Sequence, residues 1–267
     1  MHLKLSIEKI ILILHWLFLL FPLSIIAGNS IINLNFVIFI VFGIIYLLKI
    51  KKIPKYDFLV LIFFFFCLTL IISSILNETN IPKSFLYLRF LIFYYICFYL
   101  FNEKKFDTNK IFFFYAIFVF LICTDVVIQN TFGYNIVGLK IINFGLINHP
   151  VATSFFQDEK IAGTFIQGFS FFLVFYIFNK FNKKSAINFI IKSFLLSLIS
   201  VSILISFQRM PMVLWVVSIT VYGIIYYKTK LLPILLSFVF LTAFIFNFSS
   251  QVYVDGRKYN ELTRSYS

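Results

Sequence analysis

The sequence predicts an all-α fold, a polytopic integral membrane protein with about nine spanning helices. Three observations predict it. Of the 267 residues, 61% are hydrophobic and 12% charged, where a soluble domain carries about 25% charged residues. The apolar residues come in blocks of roughly 18 to 20, the length that crosses a bilayer as a helix; a soluble chain would scatter them at helical or strand period. The charged residues fall in regularly spaced breaks between the blocks.

The spans follow in order. Lys4 and Lys9 precede the first block, 10–27, as they would a signal peptide. That block is long, its A-x-A type cleavage signal is poor and a second block follows at once, so it is expected to stay as a helix. Gly28-Asn29-Ser30 makes a tight turn into the second span, 31–48, and four lysines with Pro54 fill the break at 49–55. The third span is 58–76, the fourth 84–101 after a short polar loop, and the fifth 111–128 after a charged one. A longer stretch, 129–160, carries glycines, asparagines and Pro150 and leads to the sixth span, 161–178. The basic break 180–185 precedes the seventh, 189–207. The very short turn Gln208-Arg209-Met210-Pro211 precedes the eighth, 212–227, and Lys228 to Lys230 the ninth, 231–248. Residues 1–248 are therefore read as one transmembrane helical bundle and the polar tail 249–267 as the start of a periplasmic segment.

The net charge of +13 would point to nucleic acid in a soluble protein. Here its distribution explains it. With the N-terminus in the cytoplasm and the breaks alternating, 15 lysines, Lys192 among them, fall on the cytoplasmic side. Seven cations fall opposite, and Arg89 lies inside a span. That ratio fits the positive-inside rule, so the charge sets topology and no nucleic-acid partner is expected. The cytoplasmic cations are all Lys, whereas Arg89, Arg209, Arg257 and Arg264 lie on or near the outer side. Arginine grips phosphate bidentately and stays charged. Cys67, Cys97 and Cys123 all sit in apolar blocks, with no CxxC pair and no metal-ligand spacing. They are expected to be small packing residues, and no metal or other cofactor is expected.

The polar residues that could carry chemistry gather toward the outer side. Arg89 either snorkels to the interface or faces the bundle interior and binds an anionic head group. Asp125 and Gln129, four residues apart, share a helix face; they either hydrogen-bond a sugar or serve a structural pairing, for instance with Arg89. Asp158 and Glu159 stand at the expected start of the sixth helix, where they either complement the helix dipole or orient and deprotonate an acceptor hydroxyl. Arg209, held in a short turn, either anchors the interface or meets a diphosphate just above the membrane. His149 is read as an ordinary loop histidine.

Four of these segments, in this order, resemble the O-antigen ligase and O-antigen polymerase superfamily of bacterial envelope membrane proteins. They are Arg89 within Tyr87-Leu88-Arg89-Phe90-Leu91, then Asp125-Val126-Val127-Ile128-Gln129 with Gly133-Tyr134-Asn135 and Gly138. Next comes the segment from Ser154 through Asp158-Glu159 to Gly163, and last Ser206-Phe207-Gln208-Arg209. The resemblance covers roughly residues 87–209. It implies transfer of a glycan from an undecaprenyl diphosphate lipid to an acceptor hydroxyl, at the periplasmic face of the bacterial inner membrane and without metal. It implies that Arg89 and Arg209 bind the diphosphate, that Asp125 and Gln129 position sugar or acceptor, and that Asp158 and Glu159 do the same or act on the acceptor proton. It also implies a longer chain, with a large periplasmic segment, further spans and a functional histidine. The present sequence reaches 19 residues into that segment, so it is expected to be either a fragment or a chain that has lost its second half. Two other readings stay open: a transporter or flippase of lipid-linked glycan, and an inactive truncated or structural protein. Ligase and polymerase are not separable from these residues.

Overall fold

The computed structural model describes residues 6–50, 58–77, 81–143, 150–156, 159–181 and 185–227. Ten helices run along them: α1 (Ile7–Leu19), α2 (Phe21–Ile26), α3 (Asn29–Ile50), α4 (Phe58–Leu76), α5 (Ile81–Leu86), α6 (Leu88–Asn102), α7 (Thr108–Phe132), α8 (Ala162–Lys180), α9 (Ala186–Ile205) and α10 (Arg209–Tyr227). A single 3-10 turn, Ser154–Phe156, and a two-residue antiparallel ladder, β1 (Ile142–Asn143) with β2 (Pro150–Val151), occupy the connection between α7 and α8. The chain divides into two compact units, Met1–Phe114 and Tyr115–Ser267, so the boundary falls inside α7.

Among the described residues, six helical segments are long and apolar enough to cross a membrane: Asn29–Ile50, Phe58–Leu76, Pro82–Asn102, Thr108–Phe132, Ala162–Lys180 and Ile187–Ile205. The most telling is Phe58–Leu76, with mean hydropathy 2.9 and only 11% of its apolar window buried. A soluble monomer does not leave an apolar surface of that extent in water, whereas in lipid only the backbone must be satisfied, and a helix satisfies it internally. The protein is therefore a multi-pass membrane protein. The nine-span expectation is met in part: α10 qualifies as a shorter apolar helix over Arg209–Gly223, and the ninth span, 231–248, with the tail 249–267, lies outside the described residues.

The first expected span is broken. Residues 7–26 form two helices that part at Leu20, because Pro22 in the first turn of α2 has no N–H to continue the ladder. The neighbouring helix repairs the break. Buried Asn35 of α3 donates from Nδ2 to the Leu17 carbonyl at 3.2 Å and to Ser24 Oγ at 2.9 Å, and Ser24 in turn donates to the Phe21 carbonyl at 2.8 Å. Neighbouring helices and serine side chains are the means by which spanning helices tolerate proline. Gly28, at φ +107°, then turns the chain into α3. A phenylalanine cluster holds this unit together: Phe93 of α6 stacks on Phe36 at 4.8 Å and on Phe21 at 5.6 Å between ring centroids. Where α3 meets α6 most closely, Gly43 faces Ile96 with no room for a Cβ. A second break, at Tyr87, divides α5 from α6, and the Cys67 thiol of α4 lies 3.9 Å from the Tyr87 carbonyl.

In the second unit α8 packs against α9 and α10. Fully buried Tyr115 of α7 meets Phe172 of α8 edge-on at 4.6 Å. Trp215 of α10 donates from its indole to Ser200 Oγ of α9 at 3.0 Å, and Ser202 of α9 donates to the Cys123 carbonyl of α7 at 3.0 Å. Small polar residues bridging apolar helices are the usual glue of a membrane bundle.

Candidate functional site

Helix α7 ends in a polar latch. Asp125 and Gln129 do share a face, as their spacing predicts, and both are fully buried. Asp125 Oδ1 accepts from the Ile136 backbone N–H at 2.9 Å. Its Oδ2 accepts from the Ser154 hydroxyl at 2.6 Å and from Asn135 Nδ2 at 3.4 Å. Gln129 Oε1 accepts from the Ser154 N–H at 2.7 Å, while its Nε2 donates to the carbonyls of Leu139 and Lys140 at 3.3 and 3.4 Å. Asn135 completes the knot, accepting at Oδ1 from the N–H groups of Val137 and Leu139 and donating to the Ser154 carbonyl at 3.2 Å.

The glycines of this run have a backbone reason. Gly133 and Gly138 sit at φ +81° and +90°, a region that costs other residues about 1–2 kcal/mol. Ser154 is left-handed as well, at φ +55°. Such strain persists only where the surroundings over-determine it; here the hydroxyl, N–H and carbonyl of Ser154 are all engaged. The pattern Asp-x-x-x-Gln, Gly-x-Asn, Gly therefore builds a rigid loop. Asp125 and Gln129 spend their hydrogen bonds within it.

A second fixture holds the start of α8. Gln208, in the turn between α9 and α10, accepts at Oε1 from the Thr164 N–H at 2.8 Å and from its hydroxyl at 2.7 Å, and donates from Nε2 to the Lys160 carbonyl. Thr164 is the third residue of α8, so Gln208 supplies from a distant turn the acceptor that a capping side chain normally provides. The helix has no other side-chain cap and no acid in its first turn. Glu159 precedes the cap residue Ile161 and is exposed, and Asp158 lies outside the described residues. Gly163 allows the close approach: a Cβ there would lie 3.1 Å from both Gln208 Oε1 and Ser206 Cβ and would overlap Ser206 Oγ. The turn is tight enough that Phe207 takes φ +51°. Arg209 follows as the first residue of α10, exposed.

These contacts bring the end of α7, the loop at Ser154, Glu159, the start of α8 and Arg209 to one end of the second unit. Asp158 lies outside the described residues, as does His149. Arg89 belongs to the first unit. It is the second residue of α6, its guanidinium carbon lies 5.5 Å from the Phe36 ring centroid and 5.1 Å from that of Phe90, and its buried Nε has no hydrogen-bond partner among the described residues. Gln208, Asn135 and Ser154 organise the site; all three stand within the motif segments singled out from the sequence, which assign them no role of their own. Among the described residues no group of three His, Cys, Asp or Glu side chains is placed to hold a metal ion, and the three cysteines are buried and free. No protein-family model, curated protein or solved structure matches the chain.

Proposed function

We propose that the chain is a glycosyl-transfer protein of the O-antigen ligase or polymerase type, acting on undecaprenyl-diphosphate-linked glycan at the periplasmic face of the bacterial inner membrane. The observation that supports this reading is the Gln208 clamp, which fixes the turn carrying exposed Arg209 to the start of α8. The lysine excess of the alternate breaks supports a cytoplasmic N-terminus with this end of the unit on the outer side.

In the reaction, the acceptor oxygen attacks the anomeric carbon and the bond from that carbon to the diphosphate oxygen breaks. The electron pair leaves on the lipid diphosphate. Arg209 would stabilise that growing negative charge. The acceptor proton passes to a carboxylate, for which Glu159 and Asp158 are the candidates. Asp125 and Gln129 act through the loop they hold, as positioning residues. Reconstitution of the chain in liposomes with lipid-linked glycan and an acceptor tests this. Arg209→Ala should lower transfer about 100-fold or more, with Arg209→Lys between the two. Equal transfer by wild type and Arg209→Ala overturns the reading.

The helix breaks at Leu20 and Tyr87 favour a second reading, transport of the lipid-linked glycan, because transporters build their sites on discontinuous helices. Flux across the liposome membrane without any glycan transfer would decide for it.

A further inference from the structure

The connection after α7 folds back on the helix it leaves. The Ile136 N–H reaches Asp125 Oδ1 at 2.9 Å, and Asp125 precedes the helix end at Phe132 by about 10 Å along the axis. The 25 residues of α7 measure about 37 Å, against a hydrocarbon core of about 30 Å. With the ion pair of Asp107 and Lys110 at its other end, the helix overhangs that core only slightly. The level of Asp125, and of the loop bonded to it, therefore falls at the edge of the acyl chains.

What the loop presents at that level is apolar. Phe132, Tyr134, Ile136 and Val137 are each between 54% and 69% exposed. Phe132 shares a helix face with exposed Leu121, three turns earlier, so the apolar surface of the spanning helix runs on into the loop. Tyr134 pairs with Lys140 across the neck of the loop, which sets a phenol ring and an exposed ammonium side by side. Tyrosine rings and snorkelling lysines are common anchors at a membrane interface.

Irregular backbone is kept out of lipid because its polar groups go unsatisfied there. Here the N–H groups from Asn135 to Leu139 all have acceptors within the protein. Asn135 donates to the Leu139 carbonyl and Gly138 to the Asn135 carbonyl, both at 2.9 Å. Ile136 donates to Asp125, and Val137 and Leu139 donate to Asn135 Oδ1 at 3.1 and 2.7 Å. Asp125 and Asn135 thus hold the loop in a shape whose donors need no water and whose large apolar side chains face outward.

We propose that residues 132–140 form a membrane-inserted loop. Phe132, Tyr134, Ile136 and Val137 lie at the headgroup–acyl boundary of the leaflet at this end of α7, and Lys140 reaches the lipid phosphates. The partner is the lipid surface, and the inference stands apart from the transfer reaction.

The test is spin labelling of Val137→Cys in the full chain in phosphatidylcholine liposomes, with Lys140→Cys as the reference at the interface. The three native cysteines are buried, so wild type serves as the labelling blank. Oxygen concentrates among acyl chains; its collisions with the Val137 label should exceed those of a water-soluble nickel chelate severalfold, and the ratio should fall at Lys140. Ile136→Cys gives the same reading should Val137→Cys fold poorly. A Val137 label that meets the chelate as freely as the Lys140 label puts the loop in water. One shielded from both reagents is covered by protein, and one broadened by a neighbouring label faces a second copy. Any of these three results overturns the proposal.

Discussion

The Ser154 hydroxyl donates to Asp125 Oδ2 at 2.6 Å, joining two buried residues 29 positions apart. That bond closes the loop between α7 and α8 over the end of a spanning helix. Removing the acid in Asp125→Ala leaves the Ile136 N–H and the Ser154 hydroxyl without their acceptor, at a cost of about 1–3 kcal/mol. The Ile136 amide should then exchange with deuterium roughly 5- to 150-fold faster, while amides in the middle of α8 keep their protection. Unchanged exchange at Ile136 would show that the latch does not hold the loop.

Gly163 is expected to resist substitution. In Gly163→Ala the new methyl overlaps Ser206 Oγ and presses on Gln208 Oε1. Overpacking of this kind costs about 1–3 kcal/mol. Removing the obstruction in Gly163→Ala/Ser206→Gly should recover part of the loss. Thermal unfolding of the two single variants and the double variant in detergent measures the coupling; strict additivity of the two changes would mean that the residues do not touch.

The two sites differ in how far their sequence reveals them. The membrane class is plain from the apolar blocks, because lipid imposes one length and one composition on every span. The shared face of Asp125 and Gln129 is plain as well, since spacing on a helix dictates it. What they bond is not. Their partners, Asn135 and Ser154, come from a loop whose path depends on two positive-φ glycines and a strained serine, and no periodicity encodes that path. Gln208 is hidden for the same reason: its capping of Thr164 spans 44 residues. Lys192 falls inside the expected seventh span, and only the start of that helix, at Ala186, differs from the expected 189.

Asp107, just ahead of α7, has a different signature. It accepts from the Lys110 backbone N–H at 3.2 Å and pairs with the Lys110 ammonium at 3.3 Å. The Lys110 backbone N–H, the largest influence, together with the Lys110 ammonium holds its carboxyl below the ordinary range against the opposing effect of desolvation. A depressed folded-state value means that its stabilising effect is complete above the unfolded value of about 4. The effect fades as pH falls through the lower folded value. Asp107→Asn, which keeps a capping side chain, should flatten that acid limb. Melting in detergent at about pH 5 and about pH 3 checks it: wild type should lose more between the two than the variant. Because Asp107 is exposed, the difference will be small.

The broken first span makes the sharpest double-mutant test. Asn35 meets the Leu17 carbonyl from α3 where the helix parts, and Pro22, which has no N–H for the Phe18 carbonyl, sits at that break. Asn35→Ala alone removes the donor to the Leu17 carbonyl and to Ser24 Oγ, which keeps its own bond to the Phe21 carbonyl, and should cost about 1–2 kcal/mol, the upper end for interhelical bonds in a membrane. Pro22→Ala alone restores an N–H that lets α1 run into α2. In that background the backbone can satisfy itself, and Asn35→Ala should cost well under half as much. Unfolding of the four proteins from mixed micelles provides the cycle. An Asn35→Ala cost that is the same with and without Pro22 would separate the asparagine from the break and leave it a simple bond to Ser24.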